Sequence, residues 1–216
     1  EFFKRTGVVS GGLILAYSLP TVSKTNEPIV KSAELNAYVV IQEDGKILIY
    51  SGAPEMGQGI KTSLPMIVAE ELGAAWEDVI VKQTPEVNVE KYGRQSTGGS
   101  YTLYRNWNLM REMGATAREM LLGAGALLME IPKSELKAID SQVRHQLSGR
   151  SIPFSELASV AQKQPIPNKE TLTFKPREDY RILGTSKSQV DSLEIVTGIG
   201  DYGIDTKVPG LSLIHI

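Results

Sequence analysis

From residue 37 the chain sets short β-branched and aromatic runs around a polar turn. Ala37-Tyr38-Val39-Val40-Ile41 and Lys46-Ile47-Leu48-Ile49-Tyr50 flank Glu43-Asp44-Gly45, which predicts a β-hairpin. From Ile60 the apolar residues Leu64, Ile67, Val68 and Leu72 recur at helical spacing, and Gly73 stands where a helix closes. Val79-Ile80-Val81 predicts a third strand, and 84–94 has no period and reads as irregular. A long helix is predicted over 101–129, with Leu103, Trp107, Met110, Met113, Met120 and Leu121 on or near one stripe and Pro132 ending it. Its small residues, Gly114-Ala115 and Gly123 to Ala126, predict close packing against the sheet. A second hairpin over 142–153 and a helix over 154–162 follow, then a proline-bearing linker with Pro165, Pro167 and Pro176. A strand at 193–196 and a glycine turn at 198–203 predict the start of a new unit near Asp191, whereas 211–216 follows no turn or strand pattern. The fold class expected is α+β, a two-layer arrangement of a mixed, largely antiparallel sheet with helices on one face.

The first 31 residues follow another logic. Glu1-Phe2-Phe3-Lys4-Arg5 leads into the apolar and small residues 8–19, then Pro20 and the polar stretch 21–31. That order of basic edge, apolar core and polar exit is the order of a secretory signal, and the apolar run is too short for a confident membrane span. Phe2-Phe3-Lys4 resembles the tail of a twin-arginine export signal, which predicts a periplasmic protein or one at the outer face of the inner membrane. A buried or amphipathic first helix is the alternative. No small-x-small cleavage site follows, so peripheral membrane attachment through this segment stays open.

Composition narrows the chemistry. A net charge of -2 with well-mixed signs offers no basic field for a nucleic-acid backbone. With no cysteine in 216 residues, disulfides, thiolate zinc sites and iron–sulfur ligation by this chain are excluded. Two distant histidines, His145 and His215, make a protein-ligated metal site improbable. No Gly-x-x-x-x-Gly-Lys-Ser/Thr motif is present, nor a strand-linked Gly-x-Gly-x-x-Gly with a distal acid.

Two glycine loops are the strongest candidates. Glu55-Met56-Gly57-Gln58-Gly59 precedes the first predicted helix, and Gln95-Ser96-Thr97-Gly98-Gly99-Ser100 precedes the long one. A helix N-terminus carries unpaired N–H groups and partial positive charge, and glycine lets an anion approach that backbone. The expectation is therefore two anion-binding mouths converging on one phosphate-bearing cofactor. Either loop alone is usually a turn or a linker.

These loops, together with Ala69-Glu70-Glu71-Leu72-Gly73 and Tyr92-Gly93-Arg94, resemble the molybdopterin-binding domain of the xanthine dehydrogenase and aldehyde oxidase family, in the branch that holds the large (beta) subunits of isoquinoline 1-oxidoreductases. The resemblance runs over about residues 1–210. It implies a division into a twin-arginine-type signal and linker (1–35), part of a molybdopterin-binding domain (36–164), a linker (165–190) and the start of a hammerhead-like α/β domain (191–216). It also implies a molybdenum-bearing molybdopterin cytosine dinucleotide cofactor, with Met56, Gly57, Gln58 and Gly59 beside the pterin. Gln58 would donate its amide to a metal oxo ligand, and Thr97, Gly98, Gly99 and Ser100 would bind pterin or phosphates. The implied reaction is water-derived hydroxylation of an aldehyde or aromatic N-heterocycle, with electrons leaving through [2Fe-2S] clusters on a small partner subunit. The catalytic base would lie outside this stretch, which would be inactive alone.

Other residues have plainer readings. Glu55 is expected to support its own loop and Glu70 to be a solvated helix residue. Arg94 and Arg105 are candidates for phosphate contact and Arg111 for a solvated face. His145 reads as structural or exposed, and Trp107 and the helix methionines as core. Two alternatives to the enzyme reading are another phosphate- or nucleotide-binding module and a noncatalytic exported interaction domain.

Overall fold

The structure is a computed structural model that describes residues 32–205. The signal-like segment 1–31 and the tail 206–216 lie outside the described residues. The chain divides into two compact units, with the boundary between Thr185 and Ser186.

In the first unit, strands β1 (Ser32–Glu34), β2 (Val39–Gln42) and β3 (Ile47–Ser51) pair antiparallel, with Val40 opposite Leu48. The predicted hairpin is present because Gly45 adopts φ 87° and Asp44 accepts the Lys46 N–H at 3.0 Å. Helix α1 (Ile60–Leu72) then carries the chain across, and β4 (Val79–Gln83) pairs with β3 in parallel, so the sheet order is β1-β2-β3-β4. The mixed sheet is thus as expected, with the crossover helix supplying its one parallel pairing.

A short helix α2 (Val89–Tyr92), capped by the Asn88 side chain on the Lys91 N–H, lies within the stretch read as irregular. Helix α3 (Thr102–Met129) is the central element: α1 packs on one side of it and α4 (Phe154–Ala161) on the other. A three-stranded antiparallel sheet of β5 (Leu136–Ile139), β6 (Gln142–His145) and β7 (Ser151–Pro153) sits beside α3 and α4. The 142–153 hairpin was predicted; β5, with only two buried positions, has too short a pattern to show in sequence.

The glycines of α3 act differently from the expectation. A Cβ on Gly114 would stand 2.5 Å from the Val68 carbonyl oxygen, so this glycine admits helix α1 rather than the sheet. Gly125 does face the sheet, where a Cβ would meet Val143 at 2.7 Å. At Gly73 two demands coincide: its φ is 82°, and a Cβ there would lie 2.3 Å from the Ala138 oxygen.

The stretch read as a linker is fastened to this unit as far as Thr185. Glu70, expected to be solvated, is 1% exposed: its Oε2 accepts the N–H groups of Arg181, Ile182 and Leu183, and its Oε1 accepts from Lys175 Nζ at 3.3 Å. Glu71 accepts from Arg111 Nε at 2.6 Å, Arg118 Nη1 at 3.1 Å and the Lys175 N–H at 3.0 Å. Arg118 also donates to the carbonyl of Thr173, and Arg111 to that of Lys175. Arg111 is therefore a fastening residue and not a solvated face. Burial of these charges is tolerated because each is paired and hydrogen-bonded.

In the second unit, Ser192–Thr197 forms helix α5, overturning the strand expected at 193–196. Gly198 ends it in left-handed backbone, with its N–H on Glu194 and Ile195 carbonyls. The short segment Leu193-Glu194-Ile195-Val196, three apolar residues around one acid, fits a strand or a single helical turn equally by period. No helix among the described residues is long and apolar enough to cross a membrane.

Candidate functional site

The first glycine loop joins β3 to α1 and is organised by its own acid. Glu55 Oε1 accepts the N–H groups of Met56 (3.2 Å), Gly57 (2.7 Å) and Gly59 (2.9 Å), and Oε2 accepts that of Lys61 (2.8 Å). Left-handed Gly57 (φ 94°) and Gly59 (φ 81°) curl the backbone so that these donors point at one carboxylate. Burial pushes the Glu55 carboxyl up, but the four donors outweigh it and hold it below the usual carboxylate range. The expectation that Glu55 supports its loop holds. The expectation of an open anion-binding mouth at this helix does not, because a carboxylate already fills it.

The second loop has no such acid. Gly98, Gly99 and Ser100 are exposed, Gly99 and Ser100 have φ of 62° and 57°, and the N–H groups of all three donate to no acceptor among the described residues. Tyr101, at the start of α3, provides no side-chain cap, so the first N–H groups of that helix add to the same open row of donors.

The two loops meet at one atom. The Pro54 carbonyl oxygen accepts from Gln58 Nε2 at 3.0 Å and from Thr97 Oγ1 at 2.9 Å. Gln58 Oε1 in turn accepts the Met56 N–H at 2.6 Å, so the Gln58 amide is folded back on its loop at both ends. Gln95, the first residue of the second loop motif, for which the sequence suggested no role of its own, is the brace behind that loop. Its Nε2 donates to Thr84 Oγ1 (2.7 Å) and the Glu86 carbonyl (2.8 Å), and its Oε1 accepts the Asn88 N–H (2.5 Å). An amide serving a discontinuous loop leaves no sequence spacing by which it could be found.

Around these loops lie Met56, Tyr101 and Tyr104, all well exposed, with the two tyrosine rings edge to face at 6.3 Å. Arg105 stacks over the Tyr101 ring at 5.3 Å, and Arg94 Nε donates to Ser96 Oγ at 2.6 Å. Both arginines are exposed and sit next to the second loop in sequence. His145 is remote and structural: its ring nitrogens contact Ser148 Oγ at 2.7 Å and Glu135 Oε2 at 3.1 Å. Among the described residues no group of three or more His, Cys, Asp or Glu could hold a metal ion. The glycines at 198, 200 and 203 have dinucleotide-loop spacing but follow helix α5, so the strand that such a loop requires is missing.

A cofactor bearing both a flat ring system and phosphates fits this surface. The second loop offers the donors for an oxyanion, and a Cβ at Gly57 or Gly98 would meet nothing within 4 Å, leaving room for a ligand at both loops. The first loop offers the exposed Met56 side chain and bare backbone of Gly57, a surface on which a ring can lie.

Comparison with known proteins agrees. The family described as "Molybdopterin cofactor-binding domain" matches residues 8–192. The beta subunit of isoquinoline 1-oxidoreductase from Brevundimonas diminuta is 29% identical, over 94% of this chain and 30% of the relative. A nicotinate dehydrogenase subunit from Pseudomonas putida is 32% identical, over 98% of this chain and 17% of the relative. The chain thus spans less than a third of the length of either. Among solved structures, quinoline 2-oxidoreductase from Pseudomonas putida 86 aligns with 61% of this chain and 17% of its own, at TM-score 0.46 and 22% identity.

Proposed function

The chain belongs to the molybdopterin cofactor-binding domain family, and from that premise we propose that it is the cofactor-holding part of a molybdenum-dependent oxidoreductase acting on aldehydes or aromatic N-heterocycles. The observation that carries the reading is the meeting of the two glycine loops at the Pro54 carbonyl, with one loop offering open donors and the other a flat exposed face. The names of the two relatives, an isoquinoline oxidoreductase and a nicotinate dehydrogenase, support an N-heterocyclic substrate.

In this proposal Gly98, Gly99 and Ser100 bind the phosphates of a pterin dinucleotide, in its cytosine form, through backbone N–H groups and the Ser100 hydroxyl. Thr97, held on Pro54, fixes the distance between the loops, and Met56 and Gly57 bear on the pterin. Gln58 would lend its amide donor to the metal end of the cofactor, and Arg105, beside the second loop, would lend positive charge to the phosphates. When bound, the cofactor supplies the transfer of a water-derived oxygen and accepts the electrons of oxidation. These 216 residues hold no thiolate for a cluster, and in this proposal the electrons leave through [2Fe-2S] clusters on a small partner subunit. The residue order over 1–31 supports twin-arginine export to the periplasm.

The test is metal analysis and cofactor release on the full-length protein co-expressed with its iron–sulfur subunit. The expected result is stoichiometric molybdenum with a pterin dinucleotide. A folded complex containing neither overturns the reading and favours a noncatalytic interaction domain.

A further inference from the structure

The first loop of the site has a component that cofactor binding alone does not require. Four backbone N–H groups, from Met56, Gly57, Gly59 and Lys61, converge on the Glu55 carboxylate. Such a ring of donors at a helix N-terminus is an oxyanion receptor, and here the oxyanion is part of the chain. Glu55 is only partly exposed, while Met56, Gly57 and Gln58 stand outside it.

We propose that Glu55 is a positioning residue whose carboxylate acts as a resident anion: it keeps ligand phosphates out of the α1 mouth and preforms the loop that presents Met56, Gly57 and Gln58. Three features argue for this. The donors come from both sides of the two left-handed glycines, so the carboxylate fixes the curl that these residues would otherwise lose to conformational freedom. Glu55 also sets the Met56 N–H in place for the second acceptor, Gln58 Oε1, and thereby the resting position of the Gln58 amide. Finally, the α3 mouth, which lacks a resident acid, is the one whose donors are open. The cofactor's phosphates are thus directed to the second loop by exclusion from the first. The role rests on the cofactor reading only for the identity of the ligand.

The test uses the full-length protein prepared without cofactor, read by hydrogen exchange at the Met56, Gly57, Gly59 and Lys61 amides. In Glu55→Ala these amides should exchange at least about tenfold faster, the loss of one net hydrogen bond's worth of protection, while those of β5–β7 stay unchanged. Added formate, a free carboxylate, should restore their protection in Glu55→Ala with a saturating concentration dependence and leave the wild type unaffected. A merely structural side chain would show no such rescue. Glu55→Gln, which keeps the volume and one acceptor oxygen, should selectively expose either the Lys61 amide or the other three, according to which side its NH2 group takes. Wild-type protection in Glu55→Gln, or no formate response in a folded Glu55→Ala, overturns the proposal. Should Glu55→Ala not fold, the Glu55→Gln result decides. These readings need no bound cofactor, so they stand whether or not molybdenum is found.

Discussion

The two glycine loops have the same sequence logic and opposite electrostatic states. Both place left-handed residues before a helix N-terminus, yet the α1 loop wraps its donors around Glu55 whereas the α3 loop leaves the Gly98, Gly99 and Ser100 N–H groups open. A helix mouth is therefore an anion site only in so far as the chain does not supply the anion itself. The other end of α1 repeats the device in the interior, where Glu70 collects the N–H groups of Arg181, Ile182 and Leu183. A row of backbone donors thus occurs in three states here: under a partly exposed carboxylate, under a buried one, and open with no carboxylate over it.

The buried case should be the most costly to disturb. Glu70→Ala strands the Lys175 ammonium and three backbone N–H groups, and a loss of about 3–5 kcal/mol is expected in urea unfolding. A loss under about 1 kcal/mol would mean that the 173–183 segment is not held by this acid. The open mouth comes next. Replacing Gly98 and Gly99 together by Val puts side chains into the space at the second loop and a β-branched residue at φ 62°, so molybdenum content should fall at least about tenfold. Undiminished content in that variant would take the phosphates away from the second loop.

Acid should separate the two carboxylate-filled donor rows from the open one. Burial raises the Glu70 carboxyl, but the N–H groups of Ile182, Leu183 and Arg181, with Lys175, outweigh it, and the folded value lies below the ordinary 4.5. Glu55 is lowered by its own four donors. A lowered folded pKa means that the unfolded state binds more protons in the window, so stability rises with pH there. The contribution is complete above 4.5 and is lost as pH falls through the lowered values. Wild type should accordingly lose stability below that point more steeply than Glu70→Gln, measured by unfolding across the acid range. The smallest effect is expected at Gln58, whose hydrogen bonds are exposed: Gln58→Ala should cost no more than about 1 kcal/mol in unfolding. A larger loss would make Gln58, and not Glu55, the main support of the first loop.

Much of this was legible in the chain. Helix α1 with its closing Gly73, the first hairpin, α3 and the 142–153 hairpin follow from apolar period and turn residues, because those features are local. Both glycine loops were found as motifs. The family resemblance found on these residues is the family that matches 8–192. Three of the misreadings share a cause. Glu70 and Arg111 look like surface charges on a helix, and 165–190 looks like a proline linker, until the fold brings 173–183 against α1 and α3.

The sequence by itself determined the first hairpin, the helices α1 and α3, that these 216 residues supply no thiolate, and where the two glycine loops lie. Tertiary structure alone decided which helix mouth is open, that Pro54 joins the two loops, and that Gln95 braces the second from behind. The reason is physical. Period and turn chemistry act over a few residues, whereas the pairing of a buried charge or a backbone donor depends on which distant segment closes over it, at separations of 43 residues for Thr97 on Pro54 and 112 for Ile182 on Glu70.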